Sequence, residues 1–405
     1  MAGKRRALVI GGSMSGLLTA LMLLRRGWDV DVFERADEEL AGRGAGIVAQ
    51  PELIEQLKAV GIGTDDLGVA ITTRKIFGRD GRVTATSACP QILTAWERVY
   101  RLLRDALPQQ RYHRGRGLKA FAQSSEGVVA HFSDGSSLSA DLLIGADGLR
   151  STVRQQCLPD IVPLYAGYVA WRALLSESAF PPEIHRELFM LMTFCLPTGE
   201  QWLGYPVAGP HNDLREGHRR YNVVWYRPAD ETSELPQLLT DRAGVTHSVS
   251  IPPPLIRAEP VAAMRAAAEQ LLAPQLREIM RLVDEPILQP IYDLESPHLA
   301  FGRVAIVGDA AFVARPHVGA GVSKASDDAA SLAEALDADN NIENALRSFE
   351  AARLPDNRMI IERARHLGAY LQATQTAEER ARSARHSIPQ AVLAETAMID
   401  FLHQS

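Results

Sequence analysis

The chain has 405 residues, 46% of them hydrophobic and 23% charged, enough to bury more than one core. Its 43 basic and 49 acidic side chains give a formal net charge of −6, which argues against nucleic acid or an anionic membrane as the main partner. Cys89, Cys157 and Cys195 form neither a C-x-x-C pair nor a metal-ligand spacing, so no metal is expected and a reducing cytoplasm is the expected compartment. No apolar stretch is long enough to cross a bilayer, and no signal-like segment precedes the first predicted strand.

Residues 7–10 form a short apolar run, as a strand buried on both faces requires. Gly11 and Gly12 make a tight turn, and Gly16 lets the next helix pack close. Leu17, Leu18, Leu21 and Leu24 continue with helical spacing until Gly27. Residues 30–33 read as a second strand, with Glu34 at its end, where an acid can bind ribose hydroxyls. This βαβ unit holds the ADP half of a dinucleotide. Its helix N-terminus offers N–H groups and a positive dipole end to the pyrophosphate. Ser13 departs from the G-x-G-x-x-G pattern, where the second glycine is usual, but it is small enough to admit phosphate. Ser13, Ser15 and Arg35 join the predicted contacts.

In the stretch AGRGAGIVAQPEL, Gly44 and Gly46 let backbone approach a ligand, and Arg43 lies near the expected pyrophosphate path. Gln50 either bonds a ring substituent or is a turn residue before Pro51. Residues 87–94 read as a loop and 96–107 as a helix. Residues 127–132 and 138–144 read as strands joined by a turn at 133–136, and the second runs into GADGLRSTVR, residues 145–154.

From about residue 160 to 290 the pattern changes to strand-like runs at 165–174, 189–196, 201–206 and 221–226. An inserted antiparallel sheet that carries a substrate pocket explains it. Tyr205 and Trp225 supply pocket wall or plain core, and His211 sits in a loop at the pocket. Arg172 guides a charged substrate or pairs within the sheet. Residues 260–283 read as a helical pair broken at Pro274. At residue 304 a strand, an acidic turn and a Gly-rich helix start follow, able to hold the other half of the same cofactor. Two such ends on one chain point to FAD. Lys324 reads as a solvated lysine, with a phosphate contact as the other option. The tail from Asn344 is helical, its charged piece 377–385 is a solvated face, and a homodimer through the tail stays open.

The motifs GGSMSG, GADGLRSTVR and GDAAFVARPHVGAG, in this order over nearly the whole chain, resemble those of the class A flavoprotein aromatic hydroxylases. That group includes p-hydroxybenzoate and salicylate hydroxylases. The stretches GAGIVAQPEL, LTAWERVYRLL, YAGYVAWRALL and RPHVGAGVSKASDDA look closest to its dihydroxypyridine-hydroxylating members. The resemblance implies an α/β fold. A Rossmann-like, glutathione-reductase-type FAD-binding domain is expected at 1–75, 96–160 and 291–345. An interleaved antiparallel-sheet substrate domain is expected at 76–95 and 161–290, and a helical C-terminus at 346–405. It implies Asp147 and Gly148 in flavin and nicotinamide binding, and Gly308 and Asp309 at the ribityl chain. Pro316, Gly319, Ala320 and Gly321 would run beside the isoalloxazine ring. Trp96, Phe312 and Ala320 depart from the family's usual arginine, histidine and glutamine, which puts the details of the flavin contacts in doubt.

The resemblance further implies a monooxygenase cycle. NADH or NADPH reduces FAD, oxygen adds to give a C4a-hydroperoxide, and its distal oxygen passes to an electron-rich hydroxylated ring, such as a dihydroxypyridine. His317 handles the proton or is a loop histidine bonded to backbone, and Arg315 attracts an anion or forms a salt bridge. A phenolic or polyketide-like substrate, a flavin oxidase or dehydrogenase, and a non-catalytic flavin-binding protein remain as alternatives.

Overall fold

A computed structural model describes residues 4–40 and 46–403, so Arg43 and Gly44 lie outside the described residues. Two large sheets organise the chain. The first has six strands in the order Ala300–Phe301, Val304–Ile306, Leu142–Gly145, Arg6–Ile10, Asp29–Phe33, Tyr112–His113. All its pairings are parallel except that of Ala300–Phe301. Helices Met14–Arg25 and Gly321–Ala338 share its core through Leu17, Leu21, Ala329 and Leu332. A three-stranded antiparallel sheet packs against it, with Phe132 and Phe33 ring centroids 4.5 Å apart. Burial from both sides is why these parallel strands are apolar without alternation.

The run 138–144, expected as one strand, is two. Ser137–Ala140 pairs antiparallel in the small sheet, and Leu142–Gly145 pairs parallel with Arg6–Ile10. The switch occurs at Asp141, whose carboxylate accepts from the Arg6 N–H at 2.7 Å.

The second sheet has nine strands, from Phe312–Val313 through Ile287–Glu295, Leu164–Ser176, Arg220–Pro228, Gln201–Val207, Met192–Cys195, Val69–Phe77 and Val83–Ala95 to Gly46–Val48. It is antiparallel apart from Met192–Cys195 beside Val69–Phe77. The expected boundaries at 75/76 and 290/291 both fall inside its strands. Residues 87–94, expected as a loop, belong to the strand Val83–Ala95. Ile71 faces Gln91 and Thr73 faces Ala88, so one extra residue forms a bulge there. Pro90 sits in that bulge, where its missing N–H costs no ladder bond.

Side-chain alternation divides this sheet between two cores. Trp171, Ala173, Trp202, Val223 and Trp225 pack with helices Ala258–Leu271 and Pro274–Arg281. Tyr168, Ala170, Leu203, Tyr205, Val224 and Tyr226 form the other face, with Tyr370, Val392 and Ala397 of the helical C-terminus. The helix Ala377–His386 is mostly exposed. Among the described residues no helix is long and apolar enough to cross a membrane.

Candidate active site

The first motif folds as a strand, a glycine turn and a helix. Gly11 has φ +107°, and a Cβ there would strike the Ala146 carbonyl. A Cβ on Gly12 would overlap the Tyr112 hydroxyl, and one on Gly16 the Gly11 carbonyl. Ser13 occupies the N-cap position of the helix and lines a groove of about 250 Å³. The Glu34 carboxylate is buried and accepts from the N–H groups of Gly12 and Ala36, each at 2.9 Å. It closes the turn from below and still has lone pairs for ribose hydroxyls. Arg35 is exposed and lines both this groove and a larger neighbouring cleft.

The last motif meets the first. Gly308 has φ +60°, and a Cβ there would overlap Ser15 Oγ. That oxygen is buried and has no hydrogen-bond partner among the described residues. The Gly308 N–H donates to Asp328 Oδ2 at 3.0 Å. Asp328 is fully buried, and its other oxygen accepts from Arg353 at 3.0 Å and Asn357 at 3.1 Å. Lys324 is fully buried too, with Nζ 3.9 Å from Asp328, which overturns its reading as a solvated lysine. The Asp309 side chain opens to the groove. Enough protein surrounds it that desolvation still pushes its carboxyl up, against the pull of Lys324.

Asp147 is used differently from the expectation of direct ligand contact. Its carboxylate accepts from the Ser151 hydroxyl and from the Thr152 N–H at 2.7 Å, at the start of helix Thr152–Cys157. Burial is the largest influence on it and raises its pKa. Gly148, at φ +75°, lines the groove and a cleft of about 1000 Å³ that opens between the two sheets. Trp96 lines both as well and stacks on Tyr100 at 5.1 Å.

Around Gly46 the backbone is held twice. Its carbonyl accepts from the Tyr205 hydroxyl at 2.8 Å, and its N–H donates to Asn222 Oδ1 at 3.2 Å. Tyr205 therefore positions the Gly46 strand, a use the sequence reading did not foresee. Gln50 donates to the Ala397 carbonyl at 3.1 Å, so its amide faces the C-terminal segment and not open cleft. Trp225 points into the opposite core and cannot be pocket wall, because neighbouring residues of a strand face opposite sides. His211 is exposed at φ +56°, beside a separate small depression lined by Arg98 and Arg220.

The loop after Asp309 carries the largest corrections. The Arg315 guanidinium is buried and donates to both Asp293 oxygens at 2.8–3.1 Å and to Gln372 at 2.8 Å. It is a salt-bridge partner, not a free charge for an anion. Pro316–Val318 form one 3-10 turn, Gly319 follows at φ +65°, and buried Ala320 precedes the helix at Gly321. Nothing crowds Gly321, where the helix N-terminus opens. His317 is buried; Nδ1 lies 3.0 Å from Gln201 Oε1 and Nε2 lies 2.9 Å from the Tyr168 hydroxyl. An acceptor at Gln201 puts the proton on Nδ1 and leaves Nε2 to accept. Burial first, then the charges of Arg315 and Arg172, push its pKa down to about 3. The ring stays neutral, so the near-neutral titration expected of it is absent.

A clasp that sequence reading missed covers this loop. The Ala397 N–H donates to the His317 carbonyl at 2.7 Å, and a Cβ on Gly319 would lie 2.7 Å from Ala397 Cα. Arg74, fully buried, donates to the carbonyls of Leu393 and Thr396 and so caps the end of helix Pro389–Glu395. No local motif announces these contacts, which join residues more than 300 positions apart.

Comparison with known proteins gives this arrangement its family. Residues 165–293 match a family described as FAD binding domain-like. The chain is 32% identical over 368 residues to the 2,6-dihydroxypyridine 3-monooxygenase of Paenarthrobacter nicotinovorans, covering 91% of each chain. The chain belongs to the FAD-dependent aromatic hydroxylases. It is 29% identical to the 3-amino-4-hydroxybenzoate 2-monooxygenase of Streptomyces cremeus, over 89% of this chain and 86% of the relative. Its fold superposes on the 2,6-dihydroxypyridine-3-hydroxylase from Arthrobacter nicotinovorans with a TM-score of 0.86, at 31% identity, covering 92% and 94% of the two chains. A salicylate hydroxylase, at 22% identity and TM-score 0.76, shares the fold. The chain is thus a flavoprotein aromatic monooxygenase, and its residues fit FAD. The unpartnered Ser15 Oγ, the glycine turn without room for a Cβ and the unpaired Asp309 carboxylate form a cradle for such a cofactor.

Proposed function

We propose that the chain hydroxylates a hydroxylated N-heteroaromatic ring, such as a dihydroxypyridine, with NAD(P)H and molecular oxygen. The observation that carries this reading is the 32% identity, over 91% of both chains, with a 2,6-dihydroxypyridine 3-monooxygenase. When bound, FAD supplies the redox and oxygen-transfer chemistry.

The chain's own residues bind, orient and keep dry. The first-turn N–H groups of helix Met14–Arg25 and Ser15 Oγ would hold the pyrophosphate, and Glu34 the adenosine ribose. Asp309 would meet the ribityl chain, and the N-terminus of helix Gly321–Ala338 would place its positive end toward negative charge on the ring system. Asp147 acts at one remove by capping the helix behind Gly148. Ile47, Ile251 and Leu288 give the cleft an apolar wall that excludes water from the reacting ring. His317 does not exchange a proton near neutral pH. It holds the loop 315–321 against Tyr168 and Gln201.

The test is NADH and NADPH oxidation by the FAD-loaded protein, with and without 2,6-dihydroxypyridine, while hydroxylated product and peroxide are assayed. Strong stimulation with coupled product supports the reading. Stimulation with peroxide alone marks the ligand as a mimic, and no stimulation removes this substrate class.

A further inference from the structure

Arg172 lies on the strand Leu164–Ser176 and is half-buried, on the face that carries Tyr168 and Ala170. It lines the large cleft together with Gly46, Gly148 and Leu288. Most other enclosed arginines have a carboxylate. Arg315 has Asp293, Arg353 has Asp328, Arg219 has Glu177 and Arg227 has Glu200. Among the described residues Arg172 forms no ion pair, and its buried Nε has no hydrogen-bond partner. A guanidinium left this way is costly unless a ligand completes it.

The neighbours favour an anion. Val224 stands directly opposite Arg172, and Asn222 pairs with Leu174 two residues on. Asn222 is therefore a diagonal neighbour on the same face, about 7–8 Å away by sheet geometry. Its Oδ1 is used by the Gly46 N–H, while its Nδ2 is buried without a partner. Arg172 Nε and Asn222 Nδ2 are both donors, with no acceptor supplied by the protein. Tyr226, on the same face, feels the Arg172 charge and is held neutral by burial.

We propose that Arg172 anchors a deprotonated ring hydroxyl, with Asn222 as the second donor, so that the cleft selects the anionic form of its substrate. This rests on the aromatic-hydroxylase reading and adds the ionisation state that the site takes. A ring bound as its oxyanion is the better nucleophile, and a fixed cation achieves this without a titrating base, which His317 does not provide. A hydroxylated heteroaromatic needs no carboxylate to bind here; its own ionised oxygen is the handle.

The test is ligand binding to the FAD-loaded enzyme from pH 5.5 to 9 without nicotinamide, using 2,6-dihydroxypyridine and 4-nitrophenol. The absorbance of each ligand reports its ionisation. Wild type should shift the bound ligand's ionisation to lower pH. R172M should return it to the solution value and lose about 10- to 100-fold in affinity for the anion, the worth of a charge-assisted hydrogen bond. R172K should recover part of the loss, and FAD content should stay at the wild-type level. The same pH dependence in wild type and R172M overturns the anchor and leaves the dihydroxypyridine reading intact. Arg172-dependent binding of nitrophenolate, with none of dihydroxypyridine, supports the anchor and removes that substrate. Binding of neither ligand overturns both.

Discussion

Replacing His317 by glutamine separates a structural imidazole from a catalytic one. At pH 7 the ring is neutral and makes two buried hydrogen bonds, to Tyr168 at 2.9 Å and Gln201 at 3.0 Å. Glutamine cannot meet both in the same plane, and one buried partner left unsatisfied costs about 1–3 kcal/mol. Acid narrows that gap. The unfolded histidine titrates at 6.5 and the buried one at about 3, so between these values the unfolded chain binds the extra proton. Wild-type stability therefore falls as pH falls through this window, by about 1.4 kcal/mol per unit for this group. From pH 6.5 to 4.5 the loss is about 2.7 kcal/mol, and the variant does not suffer it. Urea unfolding at pH 7.5, 6 and 4.5 should show His317→Gln less stable at the first and close to wild type at the last. A deficit that stays constant with pH would refute the assignment of a buried neutral ring. So would loss of the acid limb of the kcat/KM profile in the variant, since a non-titrating histidine leaves that limb in place.

Other substitutions probe the remaining assignments. Asp309→Ala should purify without FAD while keeping its circular dichroism; a wild-type flavin-to-protein absorbance ratio would remove Asp309 from the cofactor site. In Gly12→Ala the new Cβ overlaps Tyr112 Oη, so the turn must open and FAD affinity should drop at least about tenfold, or about 1.4 kcal/mol, by fluorescence titration. Trp225→Ala should cost about 3–5 kcal/mol in urea unfolding, as for other buried aromatics, and leave the KM of the folded enzyme unchanged. A raised KM with intact stability would put that indole in the pocket after all.

Much of the fold and of the dinucleotide end was legible along the chain because their rules are local. Residues 7–34 set strand, turn, helix and acid at fixed offsets, and the glycines there are required by backbone within one or two turns. The alternating runs of 164–228 announced a sheet for the same reason, the period of two along a strand. Alternation alone did not say which face meets the cofactor. That is why Tyr205 and Trp225 were weighed equally, although they lie in different cores.

The substrate end was decided by tertiary structure. Arg315 and His317 are adjacent in a loop expected beside the flavin, and that placement suggested chemistry. Their partners, Asp293 on a distant strand, Tyr168, Gln201 and the carbonyl clasp at Ala397, come from elsewhere in the chain and turn both side chains inward. A side chain's charge state depends on its burial and on who stands beside it, and neither is a property of its own segment. The amino-acid sequence by itself determined the family, the FAD cradle and the order of the elements, because turn geometry and strand period are written within a few residues. Only the packed chain decided that His317 is neutral, that Arg315 is paired and that Arg172 is the cation left facing the cleft, because desolvation and pairing arise where distant segments meet.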